Sequence, residues 1–544
     1  MSPSRPASRR PVDRSTGILV AILSIPILLG IVFFVLRPSI NNDAGVGFDI
    51  LQSMARGGGF NLQIQPSQED IARDSSSFIA AWSPSQYLLP GLVQRLGLDL
   101  GHAIAVVVAG CAILGLWGWW ALYRSWGFSS QIALASCLIV ALTRHFSNPF
   151  YEYNGTDVIL FGAAPWGALW LWNSRHQPWT VRFAVTASVV AMLTFAKLSG
   201  IVLGGALICG LAAAAFLGNG VAWTVRRFDW RRARALAGAM LPAGLAALMV
   251  AVLVYVFWMT RGWTAIDHPK GAGLSLAKIY FPMVSTLVSA FSIGDAIGFL
   301  LMNPNRKLIE EPDVIYASLL PICAVAVWYV GRVVAPRLGE AWAFIVGTCV
   351  PYLVFFVFYL AAGALYLDDR YFRPISLMVL PCLIYAAIEG RSRLFRYLTL
   401  ATAVAACLYG AGSTVQHIVG IRERPVGALG FRHGFASAKL LVQLNTSTLP
   451  PGAQDSGRVV YVASPELAVE VRDGRVIATV ANFEALEVAH WRKFKGRARE
   501  VVLYLPTTFL RNGKADAIRR AFVDYDFDKW IRTDIDDRFV RFSQ

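Results

Sequence analysis

The chain of 544 residues is 56% hydrophobic and 15% charged, with a mean hydropathy of +0.51. A soluble chain carries about 25% charged residues, so an apolar surplus arranged in repeated long runs excludes a soluble globular enzyme and marks a polytopic membrane protein. The formal net charge of +16 fits basic loops facing anionic lipid, and without any RNA- or DNA-binding signature it implies no nucleic-acid partner.

Taken in chain order, residues 1–16 form a basic segment that reads as disordered. The run 17–36 is longer than a secretion-signal core and is followed by Arg37-Pro38-Ser39 rather than a cleavage site, so it reads as a retained first span. Further spans are expected at 102–123, 128–143, 157–173, 183–196, 199–217, 236–258, 316–332, 341–363, 375–389 and 395–412, which makes about eleven. The seven cysteines all fall inside these apolar runs, with no Cys-x-x-Cys pair, and read as small buried residues rather than disulfides or thiolate ligands.

Basic residues mark alternate loops: Arg5, Arg9, Arg10 and Arg14; Arg124; Arg175 and Arg182; the run 226–234; Arg332 and Arg337; and the run 391–396. By the positive-inside rule these face the cytoplasm. The expected location is therefore the inner (plasma) membrane, with a cytoplasmic N-terminus. The loops 37–101, 144–156, 259–315 and 364–374, the corner at Lys197, and residues 413–544 then face outward. The apolar stretch 279–302 would reverse this order if it crossed, so it reads as a re-entrant helix pair broken near Ser292 and Asp295.

The tail has a different character. Extended runs at 458–464 and 499–506, helical patterns at 483–495 and 514–525, and two closing β runs predict a small periplasmic α/β domain over 413–544. The expected fold class is thus an α-helical polytopic domain, 17–412, followed by an extracytoplasmic α/β domain. The helical domain carries a large first outer loop, 37–101, and an outer segment, 259–315.

Polar residues within the helical domain gather on the outward side: Asp43, Asp49, Arg144, His145, Glu152, Asp157, Lys197, His268, Lys270, Lys278, Arg306, Lys307 and the run YLDDRYFRP at 366–374. Carboxylates and cations on one face match a reaction on a lipid-linked phosphate. A carboxylate takes a proton from an attacking hydroxyl, and cations hold the leaving phosphate. Asp43 reads either as the cap of a helix that runs to Gly57-Gly58-Gly59 or as a general base at the membrane surface. Asp49, six residues on and about 240° around that helix, reads as a solvated or helix-surface residue. The stretch AWSPSQYLLPGLVQRLG (81–97) predicts an amphipathic helix capped by Ser83 or Ser85. Asp157 reads as a helix cap or an acid, Glu152 as an ion-pair partner of Arg144, and Lys197 as a snorkelling lysine or a phosphate ligand. The DDRY run reads as a local ion cluster or a diphosphate grip. Trp82, Trp166, Trp258 and Trp263 sit near predicted interfaces as belt residues. His145 and His268 lack partners at metal-ligand spacing; no cofactor is read, and a divalent metal has no ligand set behind it.

These motifs in this order resemble the GT-C glycosyltransferase superfamily, in its branch of protein O-mannosyltransferases and aminoarabinose transferases. An Asp follows the first span, then SPSQYLLPGLVQRLG, YNGTDVILFGAAPWGALWLW (153–172), LTFAKLSGIVLG (193–204) and DDRYFRPISLMVLPCLIYAA (368–387). The resemblance covers 17–412. It implies inverting transfer of a sugar from a polyprenyl-phosphate donor to a hydroxyl of a glycan, lipid or protein acceptor on the outer face. Asp43 and Asp157 then match the catalytic acids, and Lys197, Arg370, Tyr371 and Arg373 the donor-phosphate site, assisted by Lys270, Arg306 and Lys307. Trp82, Tyr87 and Glu152 would support the acceptor or the loops. Ala44 departs from the family's usual Asp-Glu pair, and 61–80 is an insertion. The competing readings are a transporter or flippase, which requires polar residues in mid-span, and a polysaccharide polymerase.

Overall fold

The computed structural model describes residues 14–217, 230–262, 273–294, 312–362, 368–446, 457–478 and 493–544. The membrane domain runs through α1 (Arg14–Leu36), α2 (Asn42–Ala55), α3 (Ser85–Gln94), α4 (Leu100–Ser125), α5 (Ser130–Leu142), α6 (Arg144–Tyr151) and α7 (Thr156–Ser174). It continues through α8 (Trp179–Ala196), α9 (Gly200–Leu217), α10 (Trp230–Phe257), α11 (Leu276–Ala290), α12 (Pro312–Ala361), α13 (Arg373–Glu389) and α14 (Arg393–Ile421). Each of the eleven expected spans falls on one of these helices. Among the described residues seven helices are long and apolar enough to cross a membrane, while α5, α9 and α11 are shorter apolar helices. At 1.5 Å per residue the 50 residues of α12 would reach about 75 Å, more than twice the hydrocarbon thickness. The helix breaks at Gly339, whose φ of 36° and ψ of −101° are non-helical, and so makes the two spans the sequence predicts.

The outward face of the bundle is apolar where lipid would touch it. Val35 on α1 is 71% exposed and Leu408 on α14 is 69% exposed, a pattern that water would not tolerate over so many helices. The basic N-terminal reading through residue 16 changes in part, because α1 already begins at Arg14, while 1–13 lie outside the described residues. The re-entrant reading of 279–302 is described only in its first half. There α11 ends at Ala290 and the chain turns at Ser292, with a left-handed φ of 55°.

Between α1 and α2 lies a two-residue strand, β1 (Ser39–Ile40). The first outer loop then forms an antiparallel hairpin, β2 (Leu62–Pro66) and β3 (Asp74–Phe78). A second two-residue strand, β4 (Glu152–Tyr153), follows α6 and pairs in parallel with β1, Ser39 opposite Glu152 and Ile40 opposite Tyr153. After α14 the chain returns to this ladder, bridging Arg432 to Ser39.

The tail folds as an α/β unit. Its helices are α15 (Ala438–Asn445), α16 (Pro465–Ala468), α17 (Thr508–Arg511) and α18 (Lys514–Ala521). Its strands are β5 (Arg458–Val462), β6 (Arg475–Ala478), β7 (Glu500–Pro506), β8 (Ile531–Asp534) and β9 (Phe539–Ser543), in sheet order β6-β5-β7-β9-β8. The first three strands are parallel, and β9 joins both β7 and β8 antiparallel. Val459, Tyr461, Val501 and Leu503 pack on one face with Phe494 and Phe522; Val460, Val462, Val502 and Tyr504 pack on the other with Leu440 and Leu441. With both faces covered, the strands read as continuous apolar runs. Most of the helical pattern expected at 483–495 lies outside the described residues.

Insertion 61–80 is the strut between the two units. Ile71 is wholly buried in the tail's core, Arg475 pairs with Asp74 at 3.0 Å, and Lys495 pairs with Glu69 at 2.6 Å. On the bundle side, Trp258 donates to the Ala80 carbonyl at 3.1 Å and meets Phe78 edge-on at 5.0 Å. That indole pins the hairpin as well as standing near the predicted interface. A second contact is closer still. A Cβ at Gly45 of α2 would stand 2.7 Å from the backbone nitrogen of Glu466 and 2.8 Å from the carbonyl carbon of Pro465. Only a glycine lets the backbone of α16 lie directly on α2.

Replacing Gly45 by alanine therefore lowers the unfolding temperature of the purified protein, even though alanine favours an exposed helix by about 1 kcal/mol. Gly110→Ala is the control, since its added Cβ meets nothing within 4 Å, and it leaves that temperature unchanged or raised.

Candidate functional site

The β1–β4 ladder aligns the starts of two helices. Asn41 donates its backbone N–H to the Tyr153 carbonyl at 3.1 Å, so α2 and α7 begin side by side. Each carries an acid in its first turn: Asp43 in α2 and Asp157 in α7. Helix N-termini favour negative charge. The cap of α2 is Asn41, whose side chain accepts from the Ala44 N–H at 3.0 Å. The capping role weighed for Asp43 therefore belongs to Asn41, two residues earlier. Nor does Asp157 cap α7, whose N-cap is Gly155, with a left-handed φ of 79°.

Asp157 is held from three sides. Lys197 is salt-bridged to it, Asn154 donates to it at 3.1 Å, and Arg370 Nη1 stands 3.9 Å away. Lys197 lies at the extended corner between α8 and α9. That corner is fixed by the SPS run. Ser83 Oγ donates to the Phe195 carbonyl and Ser85 Oγ to the Ala196 carbonyl, the latter at 3.0 Å. The serines thus satisfy orphan carbonyls at the end of α8; the N-cap of α3 is Pro84, without a side-chain bond. The expected capping by Ser83 or Ser85 is corrected accordingly: with both hydroxyls turned to another helix, neither is left for α3.

The DDRYFRP run enters as a short 3₁₀ turn ahead of α13. Arg370 Nε pairs with Asp368 at 2.8 Å, and Lys197 and Arg370 flank the Tyr371 ring at 4.9 and 5.3 Å. Tyr352 donates to the Tyr371 carbonyl at 2.7 Å. Arg373 Nη1 donates to the His145 carbonyl at 2.6 Å, and His145 Nε2 stands 3.5 Å from Asp369. The cluster balances Lys197, Arg370 and Arg373 against Asp157, Asp368 and Asp369, and buried charges persist only when paired in this way. Burial pushes the Asp368 carboxyl up, opposed by Arg370.

Two cavities meet at Asn154, Asp157 and Arg370. The larger, about 480 Å³, brings together Asp43, Trp82, Asp157, Lys197, Arg370 and Tyr371. Its other wall is apolar, made by Ile201 and Val202 of α9, Val254 and Tyr255 of α10, and Phe355 and Tyr359 of α12. Tyr255 is 61% exposed on the outside of the bundle, so this wall continues to the lipid-facing surface. The smaller cavity, about 260 Å³, is polar and is lined by Arg144, His145, Glu152, Asp369 and Arg373. Asn154 and Phe355 carry parts of this site that the sequence did not single out; an Asn three residues before the acid in YNGTD is the one local signal.

Other candidates stand elsewhere. Tyr87 is buried and donates to Asn61 at 2.9 Å, at the base of the hairpin. Asp49 is half-buried and accepts from Gln63 at 2.8 Å. It is therefore tied to the hairpin rather than solvated, and burial pushes its carboxyl up. Lys270, Arg306, Lys307, His268 and Trp263 lie outside the described residues. Among the described residues no three His, Cys, Asp or Glu side chains gather as metal ligands.

The tail meets the start of α2. Ser464 donates to Asn42 at 2.8 Å, next to Asp43. Glu470 is buried against His433 at 3.1 Å and accepts from the Ala428 N–H at 2.8 Å, which holds its carboxyl low despite burial. For Glu466 burial dominates, with Glu152 adding repulsion, and its carboxyl is pushed up to about 7.

The chain is similar in structure to ArnT from Cupriavidus metallidurans bound to undecaprenyl phosphate, at 14% identity and a TM-score of 0.51, over 97% of this chain and 98% of that one. The apo state of that protein aligns at 15% identity with a TM-score of 0.49, over 97% of this chain and 98% of that one. Arabinofuranosyltransferase AftD from Mycobacteria aligns at 14% identity and a TM-score of 0.41, over 89% of this chain and 35% of that one. No protein-family model matches the sequence, and no curated protein does. The fold is the ArnT-like GT-C fold expected from the sequence: a polytopic helical domain with a small C-terminal sheet domain.

Two outcomes follow for stability. Lys197→Met leaves Asp157 partly uncompensated and costs on the order of 3 kcal/mol; adding Asp157→Asn recovers part of the lost unfolding temperature. Glu466, with its acidity weakened on folding, withdraws stability as pH rises from the ordinary carboxylate range to about 7. Glu466→Gln therefore matches the wild-type melting temperature in acid and exceeds it above neutrality, in a melting series across pH.

Proposed function

We propose that this chain is a membrane glycosyltransferase that moves a sugar from a polyprenyl-phosphate donor to an acceptor hydroxyl, with inversion, at the outer face of the inner membrane. The observation that carries this reading is the larger cavity. It joins Asp43 and the Lys197–Asp157–Arg370 cluster to an apolar wall that reaches the lipid-facing surface. That is the shape a donor with a phosphate head and an isoprenoid tail requires. The fold of the ArnT structure that holds undecaprenyl phosphate supports the same donor class.

In this reading the tail lies against Ile201, Val254 and Phe355, and the phosphate sits beside Lys197 and Arg370. Lysine offers three donors and arginine five, so both can keep Asp157 while gripping phosphate oxygens. Asp43 takes the proton of the acceptor hydroxyl. The oxygen attacks the anomeric carbon from the face opposite the phosphate. The carbon–oxygen bond to phosphate breaks, its electron pair goes to the leaving group, and the two cations stabilise the added charge. Trp82 borders the sugar, and Arg373 holds His145 and α6 in place behind the polar cavity. In this reading the basic loops and the N-terminus are cytoplasmic and the α/β tail is periplasmic, by the positive-inside rule.

The test is turnover of the purified protein with a panel of polyprenyl-phosphate sugars, wild type beside Asp43→Asn. Because Asn41 caps α2, the variant keeps its melting temperature, while turnover falls by at least about 100-fold, the scale of a lost general base. Undiminished turnover by Asp43→Asn overturns the assignment of the base. Arg370→Gln weakens retention of polyprenyl phosphate by at least about tenfold, the scale of one charge-assisted hydrogen bond.

A further inference from the structure

A third cavity, of about 580 Å³, lies between α6 and the outer end of α14. It shares no wall with the apolar cavity assigned to the donor, and touches the polar cavity only through Arg144. On α14 it is lined by Tyr409, Gly412, Ser413, Gln416, His417 and Gly420, with Arg424 just beyond the helix. These positions recur at three- and four-residue spacing and share one face. The adjoining face of the same helix presents Leu408, Val415 and Val419, which are 69%, 61% and 60% exposed, as a lipid-facing surface should. A polar stripe beside it must either pack against protein or meet something polar. Ser413 is buried and His417 packs on Tyr151, but the stripe is open at its two glycines: a Cβ at Gly412 or Gly420 would meet nothing within 4 Å.

Arg144 and Arg424 both enter the groove, whose described lining holds no carboxylate, while Glu152 and Glu466 act on His417 and Arg424 from outside it. Arg144 Nη1 donates to the Tyr409 hydroxyl at 3.0 Å and Arg424 Nη1 to Ser39 Oγ at 3.3 Å, which fixes the two guanidinium groups. The His417 ring stacks on Tyr151 at 3.7 Å and closes the inner wall. Guanidinium pairs match phosphate oxygens, and the neighbouring apolar face sets the groove at the boundary where lipid headgroups lie.

We propose that this groove is a binding site for the phosphate of an anionic phospholipid, separate from donor and acceptor, which tethers α6 to α14 through Arg144 and Arg424. Acyl chains then run down the Leu408 and Val415 face. Arg144 also borders the polar cavity, so an occupied groove steadies the wall of the reaction site.

The test is native mass spectrometry of the full chain in detergent with dioctanoyl phosphatidylglycerol. One molecule binds, at least tenfold more tightly than dioctanoyl phosphatidylcholine. Its occupancy falls at least tenfold in Arg424→Gln and in the double variant Gly412→Leu, Gly420→Leu, which fills the groove without touching a charge. Polyprenyl phosphate, offered in parallel, is retained within twofold by the glycine variant, which separates this site from the donor cavity. Equal binding of the two phospholipids, undiminished occupancy in the glycine variant, or displacement by millimolar inorganic phosphate overturns the proposal, the last by identifying a soluble anion as the ligand. Loss of polyprenyl phosphate binding by wild type would count against the donor reading alone.

Discussion

Two rungs of parallel backbone pairing, Ser39 with Glu152 and Ile40 with Tyr153, hold this site together. Strands this short have little stability of their own. They persist because Arg432 adds a further bridge on one side and because the Tyr153 hydroxyl donates to the Gln86 carbonyl at 2.7 Å on the other. Their effect is out of proportion to their length. They set the first turns of α2 and α7 at one level, and both turns carry an aspartate. Without that alignment two acids more than a hundred residues apart would have no reason to face the same hollow.

Around the ladder the charges are arranged by necessity as much as by function. Taking a carboxylate from water costs several kcal/mol unless an opposite charge and hydrogen bonds replace the lost hydration. Asp157 therefore comes with Lys197, Asn154 and Arg370, and Arg370 in turn comes with Asp368. Each cation lies on a different stretch of chain, and each is itself fixed: Lys197 by the serine-capped end of α8, Arg370 by the turn before α13. A preorganised set of donors of this kind would need little rearrangement to receive the phosphate of the proposed donor. The cavity's apolar wall, drawn from α9, α10 and α12, is the surface on which the proposed donor's lipid tail would lie.

Among the described residues the α/β tail meets the membrane domain at several points. The hairpin of the first loop inserts Ile71 into the tail's core, Gly45 admits the backbone of α16, and Arg432 bonds to the carbonyl of Leu36 at the end of α1. These contacts surround the start of α2. The tail thus braces the helix that carries Asp43, and Glu466, whose carboxyl is pushed up by burial, stands at that contact.

Hydrophobic runs alone dictated the helical membrane domain, because each span must satisfy its own backbone hydrogen bonds, and the β-branched runs of the tail dictated its strands. Even the break at Gly339 was legible as a gap between two apolar stretches. Asp43, Asp157, Lys197 and Arg370 stood out because charge beside a bilayer is costly and needs a reason. The order of the motifs, more than any one of them, pointed to the GT-C fold. Their roles were less legible. Ser83 and Ser85 looked like caps for the helix they precede, and only the fold turned them toward α8. Asp43 read as a possible cap of its helix, and only the backbone geometry gave that role to Asn41. The insertion 61–80 had no visible purpose until its hairpin met the tail. Each of these depends on a partner far away in the chain. Local pattern is a property of neighbouring residues, but a cavity, a buried ion pair and a docking hairpin exist only once distant segments meet.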